Sequence, residues 1–297
     1  MYDVIVIGGG PAGLSAALNF GRGLTKTLVI DEDRPRNRVT TESHGYLTQD
    51  GVTPSEFKAN AQKDLEKYAD VSLVNDRVIN IQPVDDYFNV TSQNETYQAK
   101  QILLATGLRE TYPDIKNLAD FYGKSVYYCP WCDGYELRHR KLAVMVDDKS
   151  VHHMPMLLSN WADDLLVCTN GQDVLTDEIK DKLTEKGFSY KEAVITEMTG
   201  QNGQIDGLLF ADGSQAEVEG MLSSVIWDTN YDFIQELTFD RGDQGEFITD
   251  PFGETSIPGI FVAGEAKRNF ASQLINAAAD GADVAKFMMM KRLQTNF

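Results

Sequence analysis

The stretch Asp3-Val4-Ile5-Val6-Ile7-Gly8-Gly9-Gly10-Pro11-Ala12-Gly13 decides the fold of this 297-residue chain. Residues 3–7 read as a buried strand, and residues 14–18 have the composition of a helix. Between them, Gly8, Gly10 and Gly13 hold the places of a G-x-G-x-x-G fingerprint. Such glycines permit a tight turn and a close approach of the backbone to a pyrophosphate. The stretch therefore predicts a dinucleotide site, with Pro11 and Ala12 as further binding residues of the turn.

Three further strand ends are predicted to lie near the same dinucleotide. Strand 27–30 ends in Asp31, at the distance where an acid takes ribose hydroxyls; the alternative is a turn or capping residue. A buried strand from residue 101 ends in Ala105-Thr106-Gly107, and another from residue 259 ends in Gly264-Glu265. We expect Asn37 and His44, in a polar loop, to line this site.

These motifs predict an α/β fold with two Rossmann-like, three-layer domains. Residues 1–111 and 243–297 form the dinucleotide domain, and residues 112–242 form an insertion. Residues 54–68 are predicted as a helix, and residues 71–80, 87–91 and 96–99 as short antiparallel strands. Cys168 is interpreted as a buried strand residue.

The inserted domain carries a dithiol in the stretch Tyr128-Cys129-Pro130-Trp131-Cys132-Asp133-Gly134-Tyr135-Glu136. Two thiols at this spacing can close and reopen a disulfide. Pro130 suits the first turn of a helix, whose dipole favours a thiolate, and Asp133 is placed to move a proton. The alternatives are a static disulfide and a zinc knuckle, for which the candidate ligands are His139, His152 and His153. Redox chemistry is the preferred interpretation, without a metal.

Charge and hydropathy bear on partners and compartment. The formal net charge is −18 and the pI is near 4.6, which argues against nucleic acid and anionic membrane as partners. The N-terminus lacks a basic region before its first apolar run, so we expect no signal peptide. The apolar stretch 274–290 is interrupted by Asp280, Asp283 and Lys286, so we expect no membrane span and a cytoplasmic location.

In order and spacing, these motifs resemble those of the low-molecular-weight thioredoxin reductases, over nearly the whole chain. The resemblance implies FAD held by the first and last motifs, a homodimer, and a thioredoxin-like protein or a small dithiol or disulfide as partner. It implies that Cys132 faces the flavin, that Cys129 meets the substrate, and that Asp133 is the general acid/base. Gly264 and Glu265 match a Gly-Asp pair at the flavin phosphate and ribityl chain. The segment that opens the last helix beside the flavin pyrimidine is matched by Ser272, Gln273 and Leu274.

One departure from the family pattern concerns NADPH. The reductases carry a second glycine fingerprint after the dithiol and an arginine-rich turn about twenty residues later. Here strand 141–146 runs into Asp147-Asp148-Lys149-Ser150 without glycine, and strand 165–168 runs into Thr169-Asn170-Gly171 without arginine. NADPH is therefore predicted to be an unlikely cofactor.

Three alternatives follow from that departure. The segment 34–38, His44-Gly45 and the Gly-Tyr-Glu after the dithiol are similar to flavin dithiol oxidases that pass electrons to oxygen, although those enzymes usually carry His in place of Asp133. A second alternative takes electrons from ferredoxin or another donor. Because ferredoxins are acidic, that alternative requires a local basic patch. A third is a non-catalytic flavin redox sensor.

Overall fold

The computed structural model describes residues 1–229, 231–243, 245–268 and 270–296. The chain divides into two compact units. Unit 1 comprises residues 1–38, 45–109 and 227–297, and unit 2 comprises residues 39–44 and 110–226. Unit 1 is thus assembled from both ends of the sequence, and most of unit 2 is one continuous insertion.

The elements alternate between strand and helix through much of both units. The strands are β1 Tyr2–Ile7, β2 Thr27–Asp31, β3 Val71–Asn75, β4 Val78–Val84, β5 Tyr87–Ser92, β6 Thr96–Leu104, β7 Arg109–Thr111, β8 Val126–Tyr127, β9 Lys141–Met145, β10 Asp164–Cys168, β11 Ser189–Lys191, β12 Ile195–Gln201, β13 Gln204–Phe210, β14 Gln215–Glu217, β15 Gly220–Leu222, β16 Ile226–Asp228 and β17 Ile260–Val262. The helices are α1 Pro11–Arg22, α2 Pro54–Leu65, α3 Leu118–Phe121, α4 Pro130–Asp133, α5 Met154–Leu158, α6 Asp177–Glu185, α7 Glu265–Arg268 and α8 Leu274–Asn296.

The sheet of unit 1 has the order β3-β2-β1-β6-β5-β4, and β17 also pairs with β6. Strands β3, β2, β1, β6 and β17 run parallel to one another, and β5 pairs antiparallel with both β6 and β4. Because parallel strands all end at one edge, this order brings the ends of β1, β2, β6 and β17 to the same side of the unit.

Both faces of that sheet are covered, which is why its central strands are continuous hydrophobic runs. Along β1, Val4 and Val6 pack into one core with α1 and α8, while Ile5 and Ile7 pack into a second core on the opposite face. The two helices of the first face cross very closely. A Cβ added at Gly281 would lie 2.1 Å from the carbonyl oxygen of Ala12.

Unit 2 repeats the three-layer plan on a smaller scale. Its parallel sheet has the order β11-β10-β9-β15-β8, beside a separate antiparallel sheet of β12, β13 and β14. Along β9, Leu142 and Val144 pack into one core, while Ala143 and Met145 pack into another. The α/β class with two Rossmann-like domains is confirmed.

The structure differs from the sequence-based expectations in several details. The strand at residues 71–75 is parallel to β2 rather than part of an antiparallel set, and residues 96–99 continue into β6 without a break. The helix predicted to residue 68 ends at Leu65. Residues 39–44 belong to unit 2, and residues 227–242 belong to unit 1, so unit 2 differs from the predicted insertion of residues 112–242.

No helix in the described part of the chain combines the length and apolar character that crossing a bilayer requires.

Candidate active site

Glycines bring three strand ends of unit 1 into contact. Gly8 has φ of +103°, and a Cβ there would lie 2.4 Å from the carbonyl oxygen of Ala105. Its N–H donates to the carbonyl of Ile30 at 2.9 Å. A Cβ at Gly13 would lie 1.9 Å from the carbonyl oxygen of Gly8. The glycine turn, β2 and the Ala105-Thr106-Gly107 segment therefore meet at one place.

Polar groups at this edge fit a bound dinucleotide. Helix α1 begins after Gly10, whose position supplies no side-chain cap, so the dipole and the N–H groups of the first turn are available to an anion. An added Cβ at Gly10 or Gly107 would meet nothing within 4 Å. The hydroxyls of Thr106 and Ser272 are buried without a hydrogen-bond partner. Open backbone and orphaned hydroxyls suit the pyrophosphate and polar rim of FAD.

Asp31 is engaged on both of its carboxylate oxygens. Its Oδ1 accepts the N–H of Gly9 at 3.0 Å, and its Oδ2 forms an ion pair with Lys58 of α2. Burial opposes the charge of Lys58, but hydrogen bonds and attraction from Asp31 and Asp33 outweigh it and raise the pKa of the ammonium group. Lys58 was not predicted as a site residue, because a helical sequence pattern does not show which distant acid a lysine will contact.

Glu265 joins two other expected site segments. Its Oε1 accepts the backbone N–H of Ser272 at 2.6 Å and the guanidinium of Arg36 at 2.8 Å. The Arg36 guanidinium also lies 5.0 Å from the ring centroid of Trp227. Glu265 is thus held at the beginning of α7, and the positive charge of Arg36 balances its negative charge. The ion pair with Arg36 was not predicted from the sequence.

The rest of the predicted flavin residues of unit 1 lie around these groups. The N–H of Gly264 donates to Asp280 of α8 at 2.7 Å, which fixes the turn after β17. Gln273 precedes the first residue of α8, Leu274, and its Nε2 would lie 3.1 Å from a Cβ at Gly45. Asn37 is partly buried in a short 3₁₀ turn, residues 36–39. Asp280 was noted in the sequence only as an interruption of an apolar stretch.

The dithiol lies in unit 2 and is closed as a Cys129–Cys132 disulfide. Cys129 is the N-cap of α4, and Pro130 occupies its first turn, as predicted. The N–H groups of Cys132 and Asp133 donate to the carbonyl of Cys129 at 3.1 and 3.2 Å. Trp131, between the cysteines, is exposed and meets Trp161 edge to face at 5.7 Å between ring centroids. The disulfide is therefore held on a short, fixed turn.

Asp133 carries a carboxyl group whose pKa is raised. Burial and the nearby negative charge of Glu136 raise the pKa of Asp133 to about 7. A carboxyl group with such a pKa exchanges its proton near neutral pH, which is the condition for acid/base catalysis there. The proximity of Glu136, one helical turn later, was visible in the sequence as an i, i+3 pair of acids.

His44 lies in the segment of unit 2 that precedes Gly45. Its Nε2 is 3.7 Å from Oε1 of Glu136 and 3.6 Å from Oε2 of Glu42. The other carboxylate oxygen of Glu136, Oε2, is buried without a hydrogen-bond partner. The structure therefore brings His44, predicted to line the cofactor site, together with the acids behind the dithiol.

The turn after β9 binds a carboxylate of its own chain. Oδ1 of Asp147 accepts the N–H groups of Lys149 and Ser150 at 3.1 and 2.9 Å, and the Ser150 hydroxyl at 2.7 Å. Burial opposes the ionised form, but these hydrogen bonds outweigh it and lower the pKa of Asp147. The amides that follow this strand are thus directed at Asp147.

No group of three or more His, Cys, Asp or Glu side chains suited to a metal ion occurs among the residues that the structure describes. Cys168, buried at the end of β10, is the free cysteine of that part of the chain, and burial raises the pKa of its thiol to about 12. The interpretation of Cys168 as a buried strand residue is confirmed.

Comparison with known proteins identifies the family. The model of the pyridine nucleotide-disulphide oxidoreductases matches residues 2–147 and 161–281. This chain belongs to that family. It is a flavin-dependent oxidoreductase that acts on a sulfur group, and the resemblance to thioredoxin reductases is confirmed.

Individual relatives agree with this assignment. A relative from Arthroderma benhamiae is 35% identical over 185 residues, which are 60% of this chain and 46% of that protein. Thioredoxin reductase aclD from Aspergillus oryzae is 29% identical over 279 residues, covering 89% of this chain and 88% of the relative. The crystal structure of TrxB from Bacillus anthracis has a TM-score of 0.95, 34% identity and full coverage of both chains.

Proposed function

We propose that this family member is an FAD-dependent dithiol/disulfide oxidoreductase whose redox-active pair is Cys129 and Cys132. Bound FAD supplies the electron-pair exchange with the dithiol. The observation that carries the proposal is the closed Cys129–Cys132 disulfide on its helix turn, followed directly by a carboxyl group with a pKa of about 7. As in the related reductases, Cys132 is the proposed flavin-facing thiol and Cys129 the substrate-facing one.

The residues divide the work as follows. The proposed FAD-binding groups are the turn Gly8 to Gly13, Asp31, residues 105–107, Gly264, Glu265 and residues 272–274. At the dithiol, the N–H groups of Cys132 and Asp133 donate to the Cys129 carbonyl and so hold the two cysteines on one turn. Asp133 gives a proton to a leaving thiolate, or takes one from an incoming thiol.

We further propose that NADPH is not the electron donor. In unit 2 the amides after β9 that would meet a pyrophosphate bind the Asp147 carboxylate instead. A phosphate at that place would have to displace the Asp147 carboxylate. It would also meet a second carboxylate, that of Asp148, and the repulsion between these negative charges would be costly. This observation favours a second candidate, a dithiol oxidase that passes electrons to oxygen, because such an enzyme requires no nicotinamide.

The anaerobic visible spectrum of the purified flavoprotein tests both statements. We expect excess dithiol to bleach the flavin band and NADPH to leave it unchanged. Cys132→Ser is expected to abolish bleaching, while Cys168→Ala, which removes a buried thiol outside the dithiol, retains it. Bleaching of Cys132→Ser by dithiol would contradict the proposed electron path, and rapid bleaching by NADPH would contradict the proposed donor selectivity.

Admission of air to the dithiol-reduced protein then distinguishes the two candidates. Recovery of the flavin band at the rate of turnover indicates an oxidase. Slow recovery in air, with fast recovery on addition of an oxidised thioredoxin-like protein, indicates a reductase whose electrons come from another donor. Ferredoxin is the donor to try first, and the sensor alternative predicts slow recovery with both oxidants.

The remaining parts of the proposal concern partners and place. We propose a thioredoxin-like protein or a small dithiol as the substrate, a homodimer, and the cytoplasm as the compartment. Relatives named thioredoxin reductase support the first. A reducing compartment fits a chain with three cysteines, two of which form an exchangeable pair. Sedimentation velocity would measure the mass of the assembly.

A further inference from the structure

The family assignment leaves the role of a four-residue group in unit 2 open. This group consists of His44, Glu42, Glu136 and Asp133. His44 Nε2 lies 3.6 Å from a Glu42 oxygen and 3.7 Å from a Glu136 oxygen. Glu136 keeps its second oxygen, Oε2, buried and unpartnered. A buried carboxylate oxygen without a hydrogen-bond donor costs free energy. Its presence here therefore points to a functional role for Glu136.

We propose that His44 and Glu136 form a positioning pair that sets the protonation state of Asp133, and that His44 serves this acid rather than the flavin. The inference rests on the proposed dithiol function, because Asp133 is a catalytic group only within that function. Neither His44 nor Glu136 is required to touch the substrate. Glu136 acts on Asp133 through its charge, and His44 acts on Asp133 through Glu136.

The geometry gives each member a defined effect. Glu136 follows Asp133 by three residues, in the turn after α4, and its negative charge makes ionisation of Asp133 harder. An imidazole next to Glu136 offsets part of that charge whenever it carries a proton, and so limits the effect. The pKa of Asp133 thereby stays near neutral pH, where the group can both give and take a proton. Without this offset, repulsion from Glu136 would raise the pKa of Asp133 further.

Other charged groups near Asp133 do not replace this pair. Tyr127 interacts electrostatically with Asp133, Glu136, Glu42 and Arg140, and burial first, then Asp133, raises its pKa to about 12, so it stays neutral in the relevant pH range. The Tyr127 hydroxyl donates to the carbonyl of Lys124 at 2.6 Å. Arg140 adds the positive charge of an arginine side chain beside Tyr127. Glu42 shares the imidazole with Glu136.

The test is the apparent pKa of Asp133 in three variants of the flavin-loaded protein, measured by ¹³C NMR of labelled aspartate carboxyls with Asp133→Asn identifying the signal. Glu136→Gln removes the repelling charge, so we expect the titration to move down by about one pH unit. His44→Asn removes the imidazole that can offset the charge of Glu136, so we expect the titration to move up. The double variant is expected to titrate like Glu136→Gln alone, since His44 acts through Glu136.

A matched control is available in His139, which also pairs with a carboxylate, Asp163, at 3.3 Å. Its φ is +61°, a conformation that asparagine tolerates, so His139→Asn changes a comparable pair without backbone strain. We expect no movement of the Asp133 titration in this variant. An equal movement in His139→Asn and His44→Asn would overturn the proposal, as would an additive double variant.

Two readouts separate this inference from the proposed function. The NMR titration needs no turnover, so failure of dithiols to bleach the flavin would remove the catalytic meaning of Asp133 but leave the electrostatic result standing. Flavin content gives the second readout. We expect His44→Asn to keep its FAD, and loss of FAD from that variant alone would show that His44 holds the cofactor instead.

Discussion

At the scale of the residue, the raised pKa of Asp133 has a consequence for stability. The folded protein holds this proton up to about pH 7, while an unfolded aspartate releases it near 3.8. Between these values the folded state binds more protons, so stability falls as pH rises through the window. We expect Asp133→Asn to lack this loss and, at pH 8, to be more stable than the parent by at most about 4 kcal/mol. The gain should fall below this limit, because the side chain is partly exposed to solvent.

Urea unfolding of both proteins at pH 4.5 and pH 8 measures this difference. The comparison between pH values within each protein cancels the cost of the substitution itself. The same Asn variant is expected to slow flavin reduction by dithiol roughly 100-fold or more, because it cannot move the proton. A variant that follows the parent's stability at both pH values would contradict the raised pKa.

The glycine turn allows a matched pair of substitutions that separates folding from cofactor binding. Gly8→Ala meets the Ala105 carbonyl oxygen and a φ of +103°, so we expect a loss of roughly 1 to 3 kcal/mol from backbone strain, with the clash in addition. Gly10→Ala meets no atom and has a φ of −79°, so the free energy of unfolding of the apoprotein should be retained.

A methyl group at Gly10 nevertheless occupies the space before the helix N-terminus, where we place the pyrophosphate. We therefore expect FAD affinity to fall at least about tenfold, or 1.4 kcal/mol, in Gly10→Ala. Titration of apoprotein with FAD, followed by flavin fluorescence, measures the affinity. Unchanged FAD binding in Gly10→Ala would place the pyrophosphate elsewhere.

At the scale of the element, helix α2 has a complete capping box at its beginning. The Thr53 hydroxyl accepts the N–H of Glu56 at 3.1 Å, and the Glu56 carboxylate accepts the N–H of Thr53 at 3.1 Å. The Thr53 hydroxyl also donates to the Glu56 carboxylate at 2.9 Å, and this hydrogen bond, followed by the one from the Thr53 N–H, lowers the pKa of Glu56. We expect Thr53→Ala to lower the free energy of unfolding by about 1 kcal/mol.

Chemical denaturation of the holoprotein measures that loss. Lys63→Ala, an exposed change on the same helix, is the control and should stay within about 0.5 kcal/mol of the parent. Because α2 also carries Lys58, whose ammonium pairs with Asp31 at the end of β2, fraying of α2 should weaken FAD binding as well. Equal losses in the two variants would show that the cap contributes nothing specific.

Strand and helix periodicity predicted the central elements of both units because their sequences satisfy local and tertiary requirements together. The run from Val4 to Ile7 is apolar on both faces, as a strand covered on both sides must be. Periodicity does not specify which strands pair, however. Residues 71–75 were predicted as part of an antiparallel set, but they pair with β2 in parallel. Whether a strand is parallel or antiparallel depends on which distant strand it pairs with.

The candidate site divides in the same way. Positions fixed by backbone chemistry, such as Gly8 or Cys129 before Pro130, were accessible from the motif alone. Contacts between side chains far apart in sequence were not, and Lys58 with Asp31, Arg36 with Glu265, and His44 with Glu136 became visible only in the structure. Long side chains reach partners that no spacing rule specifies.

At the scale of the whole molecule, the net charge of −18 should repel anionic substrates. We expect the rate constant for flavin reduction by dihydrolipoate to rise several-fold as ionic strength increases from about 0.01 M to about 0.15 M, because salt screens the repulsion. Dihydrolipoamide has the same dithiol without the carboxylate and should respond little. A decrease for dihydrolipoate would indicate that cations after the dithiol, such as Arg138 and Arg140, outweigh the global charge.

The assembly of unit 1 from both ends of the chain also orders events during synthesis. Helix α1 packs against α8, and Phe20 shares a core with Ala285 and Met288, so these contacts form only after residue 288 has been synthesised. Unit 2 is complete once residue 226 has left the ribosome. Unit 2, with its dithiol turn, can therefore fold before the packing of α1 against α8 is complete.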